Sequence, residues 1–143
     1  MNFKDIHIGQ MIEKRVSELK IEMPRISNFF QETDQKICEM YLKESLPTNI
    51  LLKWSKLLKY DFFRVYSHHL MLYAPSTVNV KQEEEKKTEL PQFRKNIYTK
   101  EIINFVLEQI ATGRMTKAQV IERYRIPKTT LYKWVSKYKN SNI

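Results

Sequence analysis

An all-α protein, built as two small helical bundles of helix-turn-helix type joined by a charged linker, is the architecture this sequence predicts. Three observations carry that expectation. Only 2 Gly and 5 Pro occur in 143 residues, too few for the many tight turns of an all-β fold. Apolar residues recur at i, i+3 and i+4 through both ends of the chain, the spacing of one helix face. Between Pro75 and Pro91 that spacing stops: Lys81-Gln82-Glu83-Glu84-Glu85-Lys86-Lys87 is charged and has nothing to anchor a core. The predicted organisation is therefore a helical domain over 1–74, a linker over 75–97 and a helix-turn-helix domain over 98–143.

Five short helices are expected in the first domain. Ile8, Ile12, Val16 and Leu19 form one stripe. Pro24 suits the first position of a second helix, whose apolar face is Ile26, Phe29 and Phe30. Thr33 and Asp34 break the pattern and can cap a third helix carrying Ile37, Met40 and Tyr41. Leu46-Pro47-Thr48-Asn49 interrupts again, and a fourth helix follows with Leu51, Leu52, Ser55, Leu57 and Leu58. Asp61 starts a fifth with Phe62, Phe63, Val65 and Tyr66. Helices this short bury their faces only against one another.

The last domain repeats the theme with three helices. Thr99 is an N-cap, the stripe Ile102, Ile103, Val106, Leu107, Ile110 follows, and Gly113 closes the helix. Thr116-Lys117-Ala118-Gln119 has the form of a capping box ahead of a short helix with Val120, Ile121 and Tyr124. Arg125-Ile126 makes a turn and Pro127 opens the last helix, carrying Leu131, Trp134, Val135 and Tyr138. Two helices around a tight turn are the outline of a helix-turn-helix. Small Ala118 would let the helices approach closely.

Charge points to a polyanionic partner. Lys and Arg number 25 against 16 Asp and Glu, for a net +9. Residues 1–74 contribute +2, residues 75–97 +1 and residues 98–143 +6, so the excess is concentrated where the helix-turn-helix is expected. A basic module of this kind neutralises phosphates and releases their counterions. In a helix-turn-helix the last helix enters the major groove with its first residues at base edges. The expected DNA-binding residues are Lys117, Arg125, Lys128, Thr129, Thr130, Tyr132, Lys133 and Lys137, with Lys139 extending the basic face. Trp134 is expected in the core or at its rim.

Other chemistries are less well provided for. One Cys in the chain excludes a disulfide framework and a Cys-based zinc site, and Cys38 is expected as a packed thiol. His68-His69 reads as a partly exposed helix end, and Glu83–Glu85 as a solvated charge block. No Gly-rich phosphate loop is present, and no strand-rich region holds a carboxylate trio. The expectation is no catalytic residue, no metal, no cofactor and no small-molecule substrate. No apolar run approaches the roughly 20 residues of a membrane span, and the N-terminus lacks a signal-peptide core, so a cytoplasmic, nucleoid-associated protein without membrane contact is expected.

The run Thr-Lys-Ala-Gln-Val-Ile-Glu-Arg-Tyr-Arg-Ile-Pro-Lys-Thr-Thr-Leu-Tyr-Lys-Trp over 116–134, with its basic tail, resembles the DNA-binding helix-turn-helix of bacterial insertion-sequence transposases. The resemblance covers residues 98–139. In the first domain, His7–Val16 and Leu51–Phe63 are similar to the opening and closing helices of Cro/repressor-type domains. The whole chain resembles small bacterial transposase-like proteins that pair these modules. The resemblance implies a double-stranded DNA partner, a homodimer as one assembly, and a role in DNA recombination or transcription regulation without a catalytic core. It also implies a recognition helix over roughly Thr33–Lys43, making Thr33, Gln35 and Lys36 weaker DNA-binding candidates. Asp34, Glu39 and Glu44 oppose phosphates there. The first domain is thus left as a weak DNA contact, a dimerisation unit or a degenerate reader. The alternative from another class is a protein-interaction adaptor, which would expose an apolar patch from Tyr66, Leu70, Met71, Leu72 and Tyr73.

Overall fold

A computed structural model of the chain describes residues 2–74, 89–91 and 97–139. Their regular structure is entirely helical: α1 Ile8–Leu19, α2 Met23–Phe30, α3 Asp34–Tyr41, α4 Thr48–Leu58, α5 Phe62–Tyr73, α6 Lys100–Ala111, α7 Lys117–Tyr124 and α8 Lys128–Lys139. The all-α expectation holds. Backbone proximity divides the chain into two units, Asn2–His69 and a second that begins at Leu70. That division falls inside α5, ahead of the boundary the sequence predicts after residue 74. The expected linker 75–97, with Glu83–Glu85, lies outside the described residues except for 89–91 and Ile97.

Helix starts in the first unit follow local chemistry. His7 Nδ1 accepts the Gln10 N–H at 3.2 Å, Thr33 Oγ1 accepts the Lys36 N–H at 3.3 Å, and Asp61 Oδ1 accepts the Arg64 N–H at 3.2 Å. Each satisfies a donor that the helix itself leaves open. Helix ends are less ordinary. Lys20, Gln31 and Lys59 sit at φ 52, 53 and 48°, the left-handed region glycine usually fills. The residue after each closes the end: Ile21, Glu32 and Tyr60 donate their N–H groups to the carbonyls of Val16, Ser27 and Ser55 at 3.1–3.2 Å.

The core of this unit is Ile8, Ile12, Ile26, Phe30, Ile37, Leu51, Trp54, Leu58 and Phe62. Trp54 is fully buried, its ring 4.5 Å from that of Phe30 and its Nε1–H donating to Met40 Sδ at 3.4 Å. Leu51, Trp54 and Leu58 lie at i, i+3 and i+7, which turns Leu52 out to solvent. Phe29 and Leu19, expected in apolar stripes, are exposed as well; Ile26 and Phe30 fill the inner face of α2.

The start of α1 meets the end of α3. The Ile8 and Gly9 N–H groups donate to the carbonyls of Glu44 and Lys43 at 2.9 and 3.0 Å, so the open end of one helix is satisfied by the chain leaving another. The N-terminal segment is pinned to α5: Phe3 is buried edge-on to His68, and His69 Nδ1 lies 2.6 Å from the Phe3 carbonyl oxygen. His68 is therefore buried, contrary to the partly exposed helix end expected for the pair. Cys38 is exposed rather than packed, since its neighbour Ile37 takes the inward position on α3.

Tyr41 sets an alkaline limit on this unit. Burial pushes its phenol up to about 12, with the Cys38 and Glu13 charges adding to the effect. Its hydroxyl is buried with no hydrogen-bond partner. The folded state thus binds the phenolic proton more tightly than the unfolded chain, where the phenol titrates near 10. Its stabilising contribution is full below pH 10 and is lost as pH rises through about 12. Tyr41→Phe is expected to flatten this alkaline loss and, by removing an unpaired polar atom, to raise stability at pH 7 by about 1 kcal/mol. Urea melts of both proteins at pH 7 and pH 11 measure it; equal alkaline losses would refute it.

In the second unit, α6 keeps Ile102, Ile103 and Val106 inside, α7 Val120 and Tyr124, and α8 Leu131 and Trp134. Thr99 holds the N-cap position of α6 through its carbonyl, which accepts the Ile103 N–H at 3.0 Å, with no side-chain cap bond. Gly113 at φ 73° ends α6 as expected, its N–H donating to Ile110. Aromatic edges knit the core: Tyr73 to Phe105, Phe105 to Tyr124, and Tyr98 to Trp134 at 4.9 Å.

Candidate nucleic-acid interface

The sequence 116–139 builds a helix-turn-helix step by step. Gln119 donates its N–H to Thr116 Oγ1 at 3.2 Å, and its Oε1 accepts the Thr116 N–H at 2.8 Å, the reciprocal cap read from the sequence. α7 then runs eight residues and stops at Arg125, which takes a left-handed φ of 50°. Buried Ile126 plugs the turn. Pro127 lends its carbonyl to the Leu131 N–H at 3.0 Å and starts α8. Val120, Tyr124, Ile126, Leu131 and Trp134 are the buried wedge of this motif. Ala118 is exposed and takes no part in it, because the inward positions of α7 are Val120 and Tyr124. Burial pushes the Tyr124 phenol up, against the pull of the Arg123 guanidinium.

With Leu131 and Trp134 inside, the opposite arc of α8 carries Lys128, Thr129, Tyr132, Lys133 and Lys137, all exposed. Thr129, Lys133 and Lys137 follow one another at i, i+4 and i+8, and Lys128 and Tyr132 form the adjacent row. Lys117 from the start of α7 joins them. Its Nζ lies 5.1 Å from the Tyr132 ring centroid and Lys128 Nζ lies 5.7 Å from it. Two ammonium groups are thereby brought to one half-exposed aromatic ring in a cation–π arrangement. Lys137 Nζ sits 5.6 Å from Tyr138.

The candidates divide accordingly. Lys117, Lys128 and Tyr132 are brought together, and Thr129, Lys133 and Lys137 share their helix face. Thr130 is half-buried, so only one hydroxyl of the Thr129-Thr130 pair is fully presented. Arg125 is exposed at the turn. The Lys139 side chain lies outside the described residues. Sequence reading passed over Arg114, an exposed cation in the turn leading into α7; its only signal is its place just before the capping box. From Arg114 to Lys139 the chain carries eight Lys or Arg and one carboxylate, Glu122.

In the first unit the three weaker candidates are engaged locally. Thr33 Oγ1 caps α3, and Gln35 Nε2 donates to Glu39 Oε1 at 3.3 Å. Lys36 Nζ lies 2.9 Å from Glu32 Oε2, whose hydrogen bond and charge raise the ammonium's pKa. Of the five residues an adaptor would expose, Leu72 is buried, Tyr66 and Met71 are half-buried, and Leu70 and Tyr73 are exposed.

Comparison with known protein families, curated proteins and solved structures finds no match to this chain. Among the described residues no helix is long and apolar enough to cross a membrane, and no three His, Cys, Asp or Glu side chains are gathered as a metal site.

Proposed function

We propose that this protein binds double-stranded DNA sequence-specifically through α7 and α8, as a transposase-like or mobile-element regulatory protein without a catalytic core of its own. The observation that supports this most is the outward arc of α8. A hydroxyl at the helix start, Thr129, stands next to Lys128 and is followed by Lys133 and Lys137 on one face, while Lys117 of α7 meets Tyr132 in the adjacent row.

Each residue type suits its place. At the N-terminal turn of a recognition helix, a Thr hydroxyl and methyl reach base edges, and Lys128 reaches guanine O6/N7 or a phosphate. Lys133 and Lys137, one and two turns further along, track the backbone, fixing register without reading sequence. Tyr132 keeps the Lys117 and Lys128 ammonium groups splayed around it, so less side-chain freedom is lost when phosphate arrives. The apolar wedge sets the angle between the helices.

A binding selection from random duplex DNA tests the proposal. The full chain is expected to enrich a defined motif, and Thr129→Ala to change which sequence is preferred. Recovery of no motif at all would overturn sequence-specific binding.

A further inference from the structure

The two units carry the same motif at a constant shift of 94 positions. α2 and α7 are both eight residues long. Gln31 and Arg125 follow them in the same left-handed conformation, at φ 53 and 50°. α3 and α8 each begin three positions later, at Asp34 and Lys128. The inward residues coincide: Ile26 with Val120, Phe30 with Tyr124, Ile37 with Leu131, all buried. Helix length and turn are equal and three of the five wedge positions coincide; half-buried Glu32 and Met40 stand where the second motif has buried Ile126 and Trp134. Gln35 on α3 therefore occupies the position of Thr129 on α8, exposed in the first turn.

The copies differ in sign. Asp34 stands where α8 has Lys128, and Glu39 where it has Lys133. Lys36, the cation in the first turn of α3, is already held by Glu32. This face has base-reading groups, since a glutamine pairs bidentately with adenine N6/N7 and carboxylates accept from cytosine N4. Of the α8 phosphate anchors only Lys137 has a cationic counterpart, Lys43, which lies past the end of α3, so this face is short of the contacts that supply most of the affinity for any duplex.

We infer that α2–α3 is a second DNA reader that engages only when α7–α8 already holds the same duplex, so that the target is a composite of two sequence blocks. The inference rests on the DNA binding proposed for the second unit. Tethering replaces the missing phosphate contacts, because a linked module meets its site at an effective concentration of order millimolar.

The test is a selection on a random duplex region several helical turns long, with the full chain, followed by titration of the recovered site. Two enriched blocks are expected. Gln35→Ala is expected to make one block degenerate and to weaken the composite site about tenfold, while Thr129→Ala alters the other block alone. Gln35 is exposed and Ala is a good helix former, so both variants keep their helices, which circular dichroism verifies. A single block sensitive to Thr129→Ala, or two blocks indifferent to Gln35→Ala, would overturn the second reader and leave the first standing. No enriched block would overturn both.

Discussion

Gly9→Ala is expected to destabilise the first unit by about 3 kcal/mol, at the upper end of what overpacking costs. Gly9 lies in the first turn of α1, where an alanine would ordinarily improve a helix. Here a Cβ would lie 2.5 Å from the Met40 carbonyl oxygen and 2.6 Å from the Tyr41 carbonyl carbon, with the Tyr41 oxygen nearer still. The obstacle is backbone, which cannot rotate away as a side chain does. Moving α1 outward would stretch the bonds from Ile8 to Glu44 and from Gly9 to Lys43 and loosen Ile8 and Ile12, both fully buried. Each unit holds one of the two tryptophans, Trp54 and Trp134. In a Trp134→Phe background the emission of Trp54 reports the first unit alone. Its urea midpoint should fall sharply with Gly9→Ala; an unchanged midpoint would mean that the α1–α3 contact is looser than described.

The second large effect concerns binding. Replacing Lys128, Lys133 and Lys137 together by Ala is expected to weaken binding to any duplex about a hundredfold or more near 0.1 M salt, and to lower the slope of log K against log salt by about 2–3 units. All three side chains are exposed and lie opposite the stripe of Leu131 and Trp134, so the helix content should not change. Anisotropy titrations at several salt concentrations supply both numbers. Affinity close to that of the parent would mean that α8 does not lie on DNA.

Much of the helical layout was legible because caps and breakers act locally. Thr116 with Gln119, Thr33 ahead of α3, Asp61 ahead of α5 and Gly113 after α6 each do what their chemistry implies over three or four residues. The helix ends at Lys20, Gln31, Lys59 and Arg125 were not legible as left-handed. Those side chains carry no preference for that conformation, which glycine or asparagine would have signalled. The leucines of α4 do not point to Trp54, a fully buried tryptophan, because Leu52 and Leu57 are equally apolar and only the packing of neighbouring helices selects the Leu51–Trp54–Leu58 stripe. The same reason hid His68, buried against Phe3 from more than sixty residues earlier. Gly9 was unremarkable in sequence, since its role is a contact with the chain around α3. At the interface, residue types and spacing gave the exposed row of α8. The half-burial of Thr130 and the meeting of Lys117 with Tyr132 depend on how α7 and α8 cross.

In the proposed complex the start of α8 reads bases while its later lysines hold backbone. The direct measurement titrates parent, Thr129→Ala and Lys137→Ala proteins on the best selected duplex and on a scrambled one, each at two salt concentrations. Thr129→Ala should lose about 1–3 kcal/mol on the selected duplex and little on the scrambled one. Lys137→Ala should weaken both about equally and lower the salt slope by about one unit. If Thr129→Ala instead weakens both duplexes equally, this helix does not read sequence and the proposed sequence-specific binding through α8 fails.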